Sequence, residues 1–362
     1  SYTIWVLIGF VGIFHMIMGL IYPAWFSLMG SLVPEQERGK YFSRRNRYTQ
    51  FFSVVSMIAS AVFLDYMKKI GSASGEAIGY TFLGFFVLFT IGMGIRSCTA
   101  VIFSKHYEPR LKIRKKDHYT LKKFIKDIKH SPFGRFTLFN AILRIGVGLM
   151  TPFVVVYLLR DLGYSYTWLM IIVVSSVMFQ IFFLKIIGNM SDQFGNIALT
   201  KFAALFITLV PLAWALSYYI PHTVLQKIYL IFFAQIIAGI GWGALNLAMQ
   251  NYVYDSSQTK QQGYAIAYMN LFNGIGFFIG AVAGSIFVKM TFLSINVIVA
   301  VFLLAFIIRG ITILIGSRYL KEVRNVKPFD PNYFIHEIHP IKGTIAQIHN
   351  LNHARGRIIH HI

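Results

Sequence analysis

Apolar residues run along this chain in long unbroken stretches, and short segments between them hold most of the charge. Nine stretches are long enough to cross a bilayer: 4–32, 48–67, 77–104, 136–159, 166–187, 198–220, 227–254, 264–290 and 295–317. A hydrocarbon core about 30 Å thick needs roughly 20 helical residues at about 1.5 Å of rise each. Backbone groups in lipid must find partners within their own segment, and these runs lack the two-residue alternation of barrel strands. Each stretch therefore predicts a transmembrane helix, and the chain reads as an all-α polytopic membrane protein.

Composition agrees. Of 362 residues, 56% are hydrophobic and 13% charged, with 34 Phe, 20 Tyr and 29 Gly and a mean hydropathy of +0.60. These values do not fit a soluble core under a polar surface. The lone cysteine, Cys98, excludes a disulfide framework and any multi-cysteine metal site. No basic leader with a small-residue cleavage site opens the chain, so no signal peptide is expected, and the start at Ser1 is that expected of a processed form or a fragment.

The net charge of +21 would suggest nucleic acid in a soluble protein, but its distribution gives another reason. Taking 33–47 as cytoplasmic and alternating sides, 26 Lys and Arg fall inside, five outside (Lys68, Lys69, Arg160, Lys227, Lys289) and three within spans (Arg96, Arg144, Arg309). That asymmetry predicts a plasma (inner) membrane protein with its C-terminus in the cytoplasm and no nucleic-acid partner. In the inner segment 106–135, Leu121, Phe124, Ile125 and Ile128 share a helical face while Lys122, Lys123, Lys126 and Lys129 occupy others. This linker is expected to lie on the anionic inner leaflet.

The chain also repeats itself. Residues 19–46 align with 243–270 without a gap, so that Gly19 meets Gly243, Gly39 meets Gly263 and Asn46 meets Asn270. "RSCTAVIFSK" (96–105) likewise echoes "RGITILIGSR" (309–318). Spans one to three thus recur as spans seven to nine in the same orientation, while spans four to six have no counterpart. A parallel repeat of six-helix halves requires three more helices before Ser1, which makes the present spans TM4 to TM12 of a twelve-helix fold with both ends inside.

At this point the residues resemble the major facilitator superfamily. "GNMSDQFGN" (188–196) is similar to the family's loop signature Gly-x-x-x-Asp-x-x-Gly through Gly188, Asp192 and Gly195, with Gln193 and Asn196 where the family usually has basic residues. "VPEQERGKYFSRRN", with Glu37, Arg38 and Gly39, is similar to the Pro-Glu-x-x-Arg-Gly pattern between TM4 and TM5 of many members. The resemblance implies a partial N-terminal half (1–105), a basic linker (106–135), a complete C-terminal half (136–320) and a histidine-containing tail (321–362). It also implies that the loop of Asp192 helps hold an inner gate, opposite Arg38 and Gly39. A carboxylate there can face a neighbouring helix N-terminus, for about 0.3–1 kcal/mol, or simply cap the helix that follows.

Charges and amides inside a membrane are costly and mark candidate sites. Asn140, Arg144 and Thr151 share a face of one helix, and Gln235, Gly239, Trp242, Asn246 and Gln250 form a stripe on another. His15 and Tyr22 lie a heptad apart; Asn270 and Asn273 are weaker candidates. Arg144 is expected to bind an anionic group or pair with a carboxylate outside this sequence, whereas Arg96 and Arg309 read as structural residues able to reach the inner boundary. No Asp or Glu lies deep in a span; Asp65, Asp161 and Asp255 sit near span ends. Proton coupling would then fall to His15 or to a carboxylate outside this sequence. In the tail, His336/His339 lacks the HExxH spacing and no cysteine supports it or His349/His353, so no metal or cofactor is expected.

The function expected is a secondary transporter of a small, anionic solute by alternating access, monomeric, with or without a coupling ion. The alternative is a receptor, scaffold or lipid- or sugar-modifying enzyme on the same fold. No acid–base cluster supports an enzyme, and no nucleotide-binding motif supports an ATP-driven pump.

Overall fold

The computed structural model describes residues 38–105, 119–257, 261–289 and 296–337, with isolated positions between 6 and 28. The first stretch (with His15 and Tyr22), Glu37, most of the 106–118 segment and the tail from 338 therefore lie outside the described residues. The helices are α1 (Arg38–Ala73), α2 (Ala77–Ser104), α3 (Leu121–Asp127), α4 (Pro132–Val156), α5 (Tyr166–Ser217), α6 (Val224–Ile228), α7 (Gln235–Ser256), α8 (Gln262–Lys289), α9 (Val297–Gly316) and α10 (Tyr333–Glu337). Wide turns with i→i+5 bonding extend α4 over Tyr157–Asp161 and join α6 to α7 over Tyr229–Ala234. Among the described residues seven helices are long and apolar enough to cross a membrane. Their outer faces suit lipid, as on α2, where Phe82, Phe86 and Phe89 are 71%, 67% and 75% exposed.

Two expected spans, 166–187 and 198–220, run together in α5, which is 52 residues long with one non-helical residue, Gly195 (φ 85°, ψ 169°). A straight helix of that length would extend about 78 Å. It folds back instead: Gly239 of α7 packs against Ser176 and Phe179 of the first arm, and Gly241 against Phe206 and Ile207 of the second. The expected loop at 188–196 is thus helical up to Phe194, and the chain reverses at one glycine. Only a residue without Cβ reaches that φ at low cost.

Three further expectations are corrected. The loop expected before 48 is already helical from Arg38. Leu121, Phe124, Ile125 and Ile128 do not form one lipid-facing stripe: Phe124 and Ile128 are buried, while Leu121 and Ile125 are exposed. Phe124 stacks on Tyr268 of α8 at 5.2 Å and meets Phe133 at 5.8 Å, so α3 uses its aromatic residue to dock on its own bundle. The tail expected from 321 also begins as part of the bundle, since Leu320 and Phe334 are buried and Phe334 packs against Phe183 and Phe202.

α4 and α8 run side by side in closest contact. Cβ atoms at Gly276, Gly280 and Gly284 would overlap the carbonyl oxygens of Ala141, Ile145 and Leu149 in turn. Small residues every four positions let two membrane helices approach to backbone contact, with dispersion as the attraction.

Candidate functional site

α4 presents Phe136, Asn140 and Arg144 in one i, i+4 row toward α7. Phe136 lies 4.2 Å from the Tyr252 ring, and the Arg144 guanidinium lies 4.9 Å from the centre of the Trp242 ring. Arg144 Nε is buried with no hydrogen-bond partner, and no ion pair joins Arg144 to a carboxylate among the described residues. A cation over an indole is stabilised by about 0.5–2 kcal/mol, which holds the guanidinium in place and leaves Nε unmatched. Asn140, 1% exposed, donates from Nδ2 to the Phe136 carbonyl (2.9 Å), and its Oδ1 has no partner. Thr151 sits apart from this group, exposed, with its hydroxyl donating back to Val147 (2.8 Å).

The stripe on α7 does not face one space. Gln235 is buried and Gly239 is pressed against the first arm of α5; Trp242 meets Arg144, and Asn246 and Gln250 are exposed. Of the weaker candidates, Asn270 is exposed, while Asn273 is 8% exposed, donates weakly to Met249 Sδ (3.9 Å) and has an unpartnered Oδ1.

Arg309 is fully buried and does not reach an inner boundary as expected. It donates from Nη1 to the Ile207 carbonyl (2.8 Å) and from Nη2 to the Gly146 carbonyl (3.1 Å), joining α9 to α5 and α4. Gly146 makes the room, since a Cβ there would lie 2.6 Å from Arg309 Cγ. Arg96, its sequence echo, is exposed on α2. The two arginines share a sequence position but not an environment.

At the end of the bundle where α5 reverses, the motif residues have separate fates. Asp192 is exposed and takes part in no hydrogen bond or ion pair among the described residues, and a Cβ at Gly188 would meet open space. At Gly195 a Cβ would overlap the Glu322 carboxylate, whose Oε2 accepts from the Ile197 amide (2.8 Å) and so caps the second arm. Asn196, where the family usually carries a basic residue, joins Ser191 (2.7 Å) to Asp255 (2.6 Å), and Asp255 pairs with Arg324 (3.1 Å), which also donates to the Ser191 carbonyl (2.6 Å). Nothing in the spacing of the sequence joins 255 to 324; the closest signal was that Asp255 sat at a span end. Arg38 and Gly39 open α1, but their side chains lie outside the described residues.

Asp255→Ala is expected to cost about 1–3 kcal/mol, because Arg324 and Asn196 lose a shared charged acceptor. Thermal unfolding in detergent reads this as a lowered Tm, and an unchanged Tm would make the network incidental.

At the opposite end, Asp65 of α1 accepts from the amides of Tyr166 (2.9 Å) and Thr167 (2.8 Å), and Ser165 accepts from Trp168 (3.3 Å). One carboxylate from the first part of the chain thus completes the N-terminal cap of α5. Beside it, Lys68, Leu159, Arg160, Tyr164 and Tyr166 line an open cavity of about 250 Å³. Burial pushes the Tyr164 phenol up from its ordinary value, which keeps it a donor to Gln226 (2.7 Å).

The family model described as Major Facilitator Superfamily matches residues 1–226 and again 137–335, together most of the chain. None of the curated proteins matches it.

Proposed function

The chain belongs to the major facilitator superfamily, an integral multi-pass membrane protein of a family of secondary transporters of small molecules, and on that premise we propose that it moves an anionic solute by alternating access. The observation that carries this reading is Arg144: a guanidinium between helices, steadied by Trp242, with no carboxylate to neutralise it among the described residues. Placing such a charge in a membrane interior is costly, and an arriving anion offsets that cost in a way a neutral solute does not. Arg309, held on the Gly146 carbonyl of the same helix and on that of Ile207, adds a second fixed positive charge nearby.

In this reading α5 contributes two crossings, and with 4–32 the chain makes nine, in the positions of TM4 to TM12 of the twelve-helix fold. The Lys and Arg distribution supports an inner-membrane orientation with the reversal of α5 and the C-terminus in the cytoplasm. We take the protein as a monomer, with or without a coupling ion. Asp192, exposed on that side, is available to meet the Arg38 end of α1 when the inner face closes. The Asp65 cap ties α1 to α5 at the other end, a contact that one state of an alternating-access cycle can keep and the other release.

The test is uptake of labelled anions into proteoliposomes. Arg144→Gln is expected to lower uptake about 30- to 100-fold, the equivalent of about 2–3 kcal/mol for a charge-assisted contact. Arg144→Lys keeps the charge without the flat guanidinium and should fall between. Uptake of an anion that Arg144→Gln leaves untouched would sink the reading.

A further inference from the structure

The Arg144 site leaves more than one kind of group unmatched. Two ring contacts set the register of α4 on α7: Phe136 opposite Tyr252 and Arg144 opposite Trp242. Asn140, midway in the same row, therefore faces α7 at about residues 246–249. The glycine contacts set α8 on α4, with Gly276 against Ala141, which brings Asn273 to the level of residue 138. Asn273 reaches Met249, so both amides face one level of α7, one to two turns from Arg144. Asn140 Oδ1 and Asn273 Oδ1 are acceptors; Arg144 Nε is a donor; all three are buried and unpartnered. Buried polar atoms are nearly always satisfied, and three orphans gathered beside an aromatic face describe what is absent from them.

Resting on the anionic-solute reading above, we propose that the solute is an anion that also carries hydrogen-bond donors, hydroxyl or ammonium, within about 6–9 Å of its charge, four to six residues of helical rise. Arg144 receives the anionic group, Asn140 and Asn273 accept from the donors, and Trp242 lies against the carbon skeleton. A plain carboxylate would satisfy the cation and leave two amide oxygens dry. A neutral polyol would do the reverse. The class is hydroxylated or amino-bearing anions.

The experiment uses the full natural chain in proteoliposomes and matched probes: labelled lactate and alanine against propionate, and gluconate against hexanoate. Sites that hydrogen-bond a substrate reject analogues lacking that group far more strongly than by size alone. At least one donor-bearing probe should enter at least about tenfold faster than its partner, a comparison on the unaltered protein that no folding defect can confuse. Asn140→Leu and Asn273→Leu should each bring that ratio toward one by slowing the donor-bearing probe more than its partner. Entry that depends on Arg144 but is equal for matched probes overturns this inference and leaves the anionic reading standing. Leucine variants that keep the preference also overturn it. If no probe enters, or entry ignores Arg144, both readings fall.

Discussion

Gly280→Leu is expected to remove most folded protein from the membrane, and Gly274→Ala, six residues earlier on the same helix, is expected to do no harm. A Cβ at Gly280 would occupy the space of the Ile145 carbonyl oxygen, a backbone atom that no rotamer change can move. α8 must then back away from α4, and the contacts of Gly276 and Gly284 on either side are lost with it. Overpacking costs about 1–3 kcal/mol where side chains can yield, and here they cannot, so the loss should exceed that range. Against a total stability of about 5–15 kcal/mol, yield should collapse. At Gly274 nothing lies within 4 Å of a new Cβ, and alanine gains helix propensity. Monodisperse recovery in detergent and Tm read the pair. A folded Gly280→Leu protein with unaltered Tm would mean that α4 and α8 are not in backbone contact.

Asp65→Ala is expected to open the end of the bundle where α1 meets α5. Its carboxylate holds the first two amides of a 52-residue helix, and those amides have no other acceptor in the turn. A hydrogen bond to a charged group contributes about 1.5–3 kcal/mol, and the two share one carboxylate, so a loss of about 2–4 kcal/mol follows. Amide exchange over 164–170, followed by mass spectrometry, should speed up at least about 30-fold, at 1.4 kcal/mol per tenfold. Asp65→Asn keeps an acceptor without the charge and should fall between. Exchange unchanged in Asp65→Ala would show that α5 starts without help from α1. The two bonds tie residues 101 and 102 positions apart.

Much of the architecture was legible along the chain. Length and unbroken hydropathy marked 77–104, 136–159, 227–254, 264–290 and 295–317 to within a few residues, while 166–187 and 198–220 run together in one helix; lipid demands uniform apolarity and helical self-satisfaction whatever the neighbours do. Arg144 stood out for the same reason: burial of a charge is costly in any fold. The motif at 188–196 was found, but its roles were not. Asp192 was the expected anchor, and the working contacts belong to Asn196, Asp255, Glu322 and Arg324, which come together through a reversal and a returning tail. Gly276, Gly280 and Gly284 could have been read as a small-residue series at four-residue spacing, although the spacing does not name the partner helix. Asn273 ranked only as a weaker candidate because an amide in an apolar run carries no direction.

By itself, then, the sequence determined that this chain is helical and lies in a membrane, since both follow from local solvation energies summed along a segment. Only the tertiary structure decided that Arg309 is locked by carbonyls while Arg96 is exposed, that one stripe on α7 divides between helix packing and Trp242, and that Asp65 closes another helix's cap. Those outcomes depend on which helix lies opposite. In a membrane that choice rests on shape and on a few polar contacts, because apolar faces are nearly equivalent to one another and to lipid.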